Sequence, residues 1–334
     1  MLLATTCALR ATPWCRPTNA LAFRYFPALN GCWQNATDVV SRYRFIRAQT
    51  RHYAVRQLCQ VLGVRVASYY RWPQKVAARS CVPAWERELG QVFFQHKRRY
   101  GTRRLRAELR AQGYPIGRHR IRHALRRREL VAVQPRAFVP RTTQSEHGPR
   151  VATNQVLDRP APTAADQVWV GDSTYLPLQN GSWAYLAAFP DVHTKRVVGW
   201  QVRSSMPEEL VVTALRRALP SRQPAAGLIV RSDRGGQYCG NGYRRLLTDR
   251  QLVRSMSRRG ECYDNAQAKS LWPRVKTEVL LDRSAFASVA EAQAELATYF
   301  DYYNHQRRHS ALGYECPHRF EQQALLLKTQ LCLT

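Results

Sequence analysis

Apolar positions along the chain change their period once, near residue 167. Before it the period is helical. Val55, Leu58, Cys59 and Leu62 recur at i, i+3, i+4 and i+7, the stripe of an amphipathic helix. Gly63 breaks that stripe and VRVASYYRW resumes over 64–72, which outlines helix, Gly-containing turn, second helix. Leu105 with Leu109, then Ile121 with Leu125, mark two further helices on either side of GYPIG. From 167 onward the runs are short and β-rich. QVWVGDSTYLPL, SWAYLAAFPDV and KRVVGWQVR predict three strands joined by turns at Gln-Asn-Gly and His-Thr. PEELVVTALRRAL over 207–219 predicts a helix opened by Pro207. GLIVRSDRGGQY predicts a short buried strand that runs into a Gly-rich loop.

Three antiparallel strands, a helix and a fourth strand is the order of an RNase H-like α/β domain, although other α/β folds begin the same way. The expected organisation is a loose or mis-started tail at 1–40, a helix-turn-helix-like segment at 41–80 and a basic helical module at 86–135. A Pro-, Thr- and Ala-rich linker at 136–164, the α/β core at 165–282 and a helical extension at 283–325 follow. The opening MLLATTCALRATPWCRP lacks the leading basic region of a signal peptide, and Arg10 and Pro13 interrupt its apolar part. No run of 18 apolar residues exists, so no membrane span and no membrane partner are expected.

The charge balance narrows the partner. Lys and Arg total 52 against 23 Asp and Glu, a formal net charge of +29, far more than a small-molecule substrate requires. A polyanion is the expected partner, and nucleic acid is the usual one. From Lys97 to Arg128 thirteen basic residues face one acid, Glu108, which is not the mixed pattern of a solvated helix. Arg65 and Arg71 on the first module are candidate phosphate contacts, with Arg98, Arg99, Arg103, Arg104, Arg118, Arg120 and Arg122 on the second. In TYFDYYNHQRRHSALGY, Tyr299, Tyr302 and Tyr303 suit packing, whereas Asn304, Arg307, Arg308 and His309 suit phosphates. His119 with His123, and His305 with His309, stand four apart without a nearby carboxylate or cysteine, so neither pair reads as a zinc site. Nine widely spaced cysteines without a C-x-x-C pair fit reduced thiols and a cytoplasmic setting.

Two acids carry candidate chemistry. Asp172 lies inside the first strand, where a carboxylate is costly unless paired or metal-bound. Asp233 ends the fourth strand, at the sheet edge where α/β folds place ligands. In an RNase H-like sheet these strands are neighbours, and two close carboxylates repel unless a divalent cation lies between them. Mg²⁺ suits such an oxygen set.

VWVGDSTY, RSDRGGQY, SMSRRGECYDNAQAKS and YYNHQRRHSALGY resemble, in order and spacing, insertion-sequence transposases with a retroviral-integrase-like core. The chain is similar to the second-frame product of the bacterial family whose transposase is made from two overlapping frames, from about Arg44 to Phe320. YRFIRAQ, SYYRW and HKRRYGTRRLRAELRAQGY resemble that family's DNA-binding part. The resemblance implies an Asp, Asp, Glu triad with thirty-five residues between its last two members, Mg²⁺ or Mn²⁺ as cofactor, and a multimer acting at DNA ends in the bacterial nucleoid. Asp172 and Asp233 match the aspartates, and the place of the glutamate is held by Lys269. Lysine only donates and cannot ligate a metal, so beside the aspartates it is expected to pair with them and to impair the chemistry.

Two acids stand near in sequence, but neither is placed to replace the glutamate. Glu278 lies two and a half turns on and faces away, and Glu261 precedes the helix in a turn. Pro273 inside the expected helix, Pro190 in the second strand and Arg231 before Asp233 are further departures from the family. Two readings follow, a transposase of reduced activity or a non-enzymatic DNA-binding remnant that acts as repressor or dominant-negative partner.

Overall fold

The structure, a computed structural model, describes residues 38–80, 82–134, 151–157, 159–258 and 266–332. The tail up to residue 37, the 136–150 part of the expected linker and Glu261 lie outside them. The chain divides into two compact units, Met1–Ala84 and Trp85–Thr334.

The first unit holds α1 (Val39–Gln49), α2 (Val55–Val61) and α3 (Val66–Ser80). Asp38 caps α1 by accepting from the Ser41 amide at 2.7 Å, so residues 38–40 open a helix instead of ending a tail. Tyr43, Ile46, Leu58, Cys59, Leu62 and Tyr69 close a small core. Gly63 at φ +63 makes the turn between α2 and α3.

In the second unit, α4 (Ala84–Gln95), α5 (Thr102–Ala111) and α6 (Arg118–Arg127) share a core of Leu89, Val92, Phe93, Leu105, Leu109 and Ile121. The strand expected around Asp172 divides at Gly171 into β1 (Val168–Val170) and β2 (Asp172–Pro177). A Cβ at Gly171 would stand 2.5 Å from the Phe189 ring, so the break is built around that aromatic. β2 pairs antiparallel with β3 (Trp183–Pro190), and β3 with β4 (Val197–Arg203). β1 pairs parallel with β5 (Ile229–Ser232), and β5 with β6 (Val253–Met256). A bridge from Trp169 to Asp191 joins the two ladders, which gives the expected RNase H-like mixed sheet.

Helices cover both faces of the sheet. On one, α7 (Glu208–Arg222) and α9 (Asn241–Asp249) bury Leu210, Leu215, Tyr243 and Leu247 against Trp169, Phe189 and Val230. Between β5 and α9 runs the short α8 (Gly236–Cys239). The other face receives α10 (Ala266–Lys269), α11 (Leu271–Leu280) and α12 (Val289–His305), whose Leu271, Val275, Leu296 and Tyr299 meet Leu176, Leu186 and Val202. The chain ends in α13 (Pro317–Cys332).

Two local expectations are corrected. Pro273 does not break a helix interior, because the helix is already divided at Ser270 and Pro273 falls in the first turn of α11. There its missing N–H is one that has no intrahelical partner in any case. The linker is also shorter than expected. Thr153 O accepts from the Met256 amide at 3.4 Å, and the Gln155 amide donates to Ser255 Oγ at 3.0 Å, so 151–157 lies along β6.

Glu278 holds the basic helical module and the C-terminal helices on the core. Arg307, 0 % exposed, donates to both its oxygens at 2.7 and 2.5 Å, and the Tyr299 hydroxyl donates at 3.0 Å. Arg104 of α5 approaches at 3.6 Å, and Arg99 donates to the Glu278 carbonyl at 2.7 Å. Burial alone would raise the Glu278 carboxyl, but Arg307, with Arg104 and Tyr299, more than offsets it and holds it below the usual range. Glu278 is thus committed to structure and does not replace the missing glutamate.

Removing one partner of such a buried pair costs about 3–5 kcal/mol. Glu278→Gln should lower stability by that order in urea unfolding, whereas Glu209→Gln on the exposed face of α7 should change it by less than about 0.5 kcal/mol.

Candidate active site

The parallel pairing of β1 with β5 sets the site. Val170 is in register with Arg231, so the residues two beyond each, Asp172 and Asp233, leave the sheet at the same edge. Asp172 is 6 % exposed. Its Oδ1 accepts from the Ser173 amide at 2.9 Å and its Oδ2 from the Trp272 indole at 3.0 Å. Asp233 is half-buried, and its Oδ1 accepts from the Gly235 amide at 2.9 Å, which turns the chain into α8.

The two aspartates act on each other. Burial is the main cause that raises the Asp172 carboxyl, and the Asp233 charge is the next. The Trp272 and Ser173 hydrogen bonds and then the Lys269 charge work the other way, and the balance stands at about 7. Below them the buried Tyr238 hydroxyl is pushed well above its ordinary value by burial, then by Asp172 and Asp233.

Lys269 ends α10, the helix next to the aspartates, but does not pair with them. Its side chain is exposed and makes no ion pair among the described residues, and its charge is the last of the five influences on Asp172. The expected ammonium–carboxylate contact is therefore corrected. Three residues on, Trp272 occupies the place against Asp172, while the hydrated lysine stays at the rim. Trp272 was not singled out from the sequence, although its i+3 spacing from Lys269 is the signal for it. Among the described residues no group of three or more His, Cys, Asp or Glu converges as a metal cluster.

The candidate DNA-contacting arginines fall into two sets. Arg65, Arg71, Arg103, Arg118, Arg120 and Arg122 are exposed. Five others are engaged inside the unit. Arg98 pairs with Asp282 at 2.8 Å, Arg99 lies over the Tyr302 ring, Arg104 and Arg307 serve Glu278, and Arg308 pairs with Glu108. Arg307 and Arg308 are corrected from phosphate contacts to interior ion pairs with Glu278 and Glu108. Asn304 is likewise committed, exchanging hydrogen bonds with Val197 at 3.0 and 2.9 Å. Tyr299, Tyr302 and Tyr303 are buried, as their spacing predicts.

Residues 162–262 and 251–317 each match a family described as integrase core domain, and 86–138 match an HTH-like domain. An HTH-like domain, on the basic helical module and not on the 41–80 segment, ahead of an integrase core defines the class. The insertion element IS600 uncharacterized 31 kDa protein of Shigella sonnei is 40 % identical over 79 % of this chain and 97 % of its own length. Transposase InsF for insertion sequence IS3A of Escherichia coli (strain K12) is 35 % identical over 85 % of this chain and 99 % of its own. The chain belongs to the insertion-sequence transposase family of InsF. The HTLV-2 integrase catalytic core domain in complex with magnesium overlays with a TM-score of 0.39 at 11 % identity, over 48 % of this chain and 98 % of that one.

The raised Asp172 carboxyl has a measurable consequence. In EDTA its contribution to stability is present below about pH 4 and is lost as pH rises toward about 7, because the folded group still holds a proton that the unfolded one has released. Urea unfolding of wild type and Asp172→Asn at about pH 5 and pH 7.5 should show that slope in the wild type and its loss in the variant.

Proposed function

We propose that the chain is a DNA-binding insertion-sequence transposase whose strand-transfer chemistry is impaired by Lys269. Family membership and the exposed Arg103, Arg118, Arg120 and Arg122 support the DNA-binding half of this reading. Lys269 carries the other half. It ends the helix beside Asp172 and Asp233 at the position where the family resemblance implies the third carboxylate.

Phosphodiester transfer by such a core relies on divalent ions that activate an attacking hydroxyl or water and stabilise the departing oxygen. The residues present do not fit a complete set for two ions. Asp172 and Asp233 supply carboxylate oxygens, but the third side chain is an ammonium without a lone pair. The aspartates suit one Mg²⁺ or Mn²⁺, held against the repulsion of a nearby positive charge. With no metal bound, Asp172 carries a proton for part of the time near neutral pH, which weakens the attraction for one.

The family implies double-stranded element ends and target DNA as partners, a multimer that holds two ends, and action in the bacterial cytoplasm at the nucleoid. No helix among the described residues is long and apolar enough to cross a membrane. The second reading is a non-enzymatic DNA-binding remnant that occupies element ends as a repressor or dominant-negative partner. The exposure of Lys269 favours it, because the substitution removes a ligand without disturbing the fold.

Strand transfer with Mg²⁺ or Mn²⁺, run for the wild type beside Lys269→Glu, tests the reading. Loss of one strong transition-state contact is worth about 10²–10³ in rate, so the variant should exceed the wild type by at least about 10²-fold. Equal activity of the two, or tight divalent-ion uptake by the wild type in calorimetry, would refute the impairment. Failure of both to bind a DNA duplex would refute the DNA-binding half.

A further inference from the structure

The helices that bear Lys269 and Trp272 have a second side. Gln267, Ser270 and Arg274 recur at i, i+3 and i+7, a stripe distinct from that of Lys269 and Trp272. They line a cavity of about 140 Å³ whose other walls include Lys195, Asp191 and His309. This is room for on the order of ten waters, more than a phosphate group needs.

Its polar groups are mostly donors, and one of them, on His309, is unmet. Arg274 Nη1 meets His309 Nε2 at 3.3 Å, and a guanidinium only donates, so Nε2 is the lone-pair nitrogen. Burial first, then Arg307, Arg274, Arg104 and Lys195, pushes the His309 imidazole down to about 3, so the ring is neutral and its proton sits on Nδ1. His309 is 7 % exposed, and Nδ1 has no hydrogen-bond partner among the described residues. Lys195 Nζ donates to Val192 O at 2.6 Å and to Gln267 Oε1 at 3.0 Å, which leaves one N–H. Neither Lys195 nor Arg274 forms an ion pair among the described residues.

The carboxylate in the lining forms no ion pair with them, although its charge favours the Lys195 ammonium. Asp191 Oδ1 accepts from the His193 and Thr194 amides at 2.9 and 2.7 Å and from Thr194 Oγ1 at 3.0 Å, and Oδ2 accepts from the Asp166 amide at 2.8 Å. It is turned into its own tight turn. Two cations and a buried, unmet N–H around a cavity match an oxyanion.

We propose that this cavity is a phosphate-binding site, and that its occupant is a backbone phosphodiester of bound DNA. The second clause rests on the DNA-binding reading above; the first does not. Occupancy would tie DNA loading to the placement of α10 and α11, since Gln267 and Arg274 sit on them and Lys195 holds Gln267 from the β3–β4 turn.

The test follows the His309 imidazole nitrogen resonances of the full chain while inorganic phosphate is added at constant ionic strength with chloride. Phosphate should shift Nδ1 saturably, and Arg274→Gln and Lys195→Gln should each abolish the shift. Should Arg274→Gln fail to fold, Lys195→Gln carries the same comparison. No shift in the folded wild type, or a shift unaltered by the variants, overturns the site. A DNA duplex should then reproduce the shift and displace phosphate, and Arg274→Gln should reduce the slope of log K against log salt by about 0.9 for the lost phosphate contact. A saturable phosphate shift with DNA binding whose slope is unchanged supports the site but overturns DNA as its source. Absence of any duplex binding by the wild type refutes the earlier reading, while the phosphate titration still decides the cavity.

Discussion

Parallel pairing of Val168–Val170 with Ile229–Arg231 fixes where two acidic side chains end. Register leaves no freedom: a slip of one residue would turn the whole strand over and bury a different set of side chains. Asp172 and Asp233 must therefore share one corner, and the energetic state of that corner depends on which cations reach it. Trp272 and two backbone amides supply hydrogen bonds, which ease the burden without cancelling it. The mixed sheet and the helices packed on either side hold this unfavourable proximity in place.

Charge is used in two ways in the same chain. The strong basic excess suggests a surface made for a polyanion, and the outward arginines of α3, α5 and α6 agree with that. Other arginines work inside. Glu278 and Glu108 each draw guanidinium groups from distant parts of the sequence, and these pairs hold the helical module and the C-terminal helices together. A buried arginine with a planar fork can satisfy a carboxylate at both oxygens, which lysine cannot do.

Much of this is legible in the sequence. The strands around Asp172 and the strand that leads to Asp233 follow from alternation and β-branched runs, and the helical stripes at 55–62 and 102–127 follow from period. Tertiary pairing was not legible. Nothing local distinguishes Arg307 from Arg122, although one is wholly interior and the other faces solvent. Pro273 looks disruptive in one continuous helix and is harmless once Ser270 divides it. Residues 151–157 read as linker because backbone hydrogen bonds to β6 leave no side-chain signature. The indole of Trp272 was hidden because an aromatic at helical spacing reads first as core.

The outward placement of Lys269 has a cellular consequence. Quality-control proteases remove chains according to how often they open, and a charge exchanged at a solvated helix end does not change that frequency. An exposed charge of either sign at this position is therefore expected to leave the lifetime of the folded chain unchanged. If Lys269 impairs the chemistry as proposed, selection would meet it through what the protein does to DNA and not through its folding, and a single base separates a Lys codon from a Glu codon.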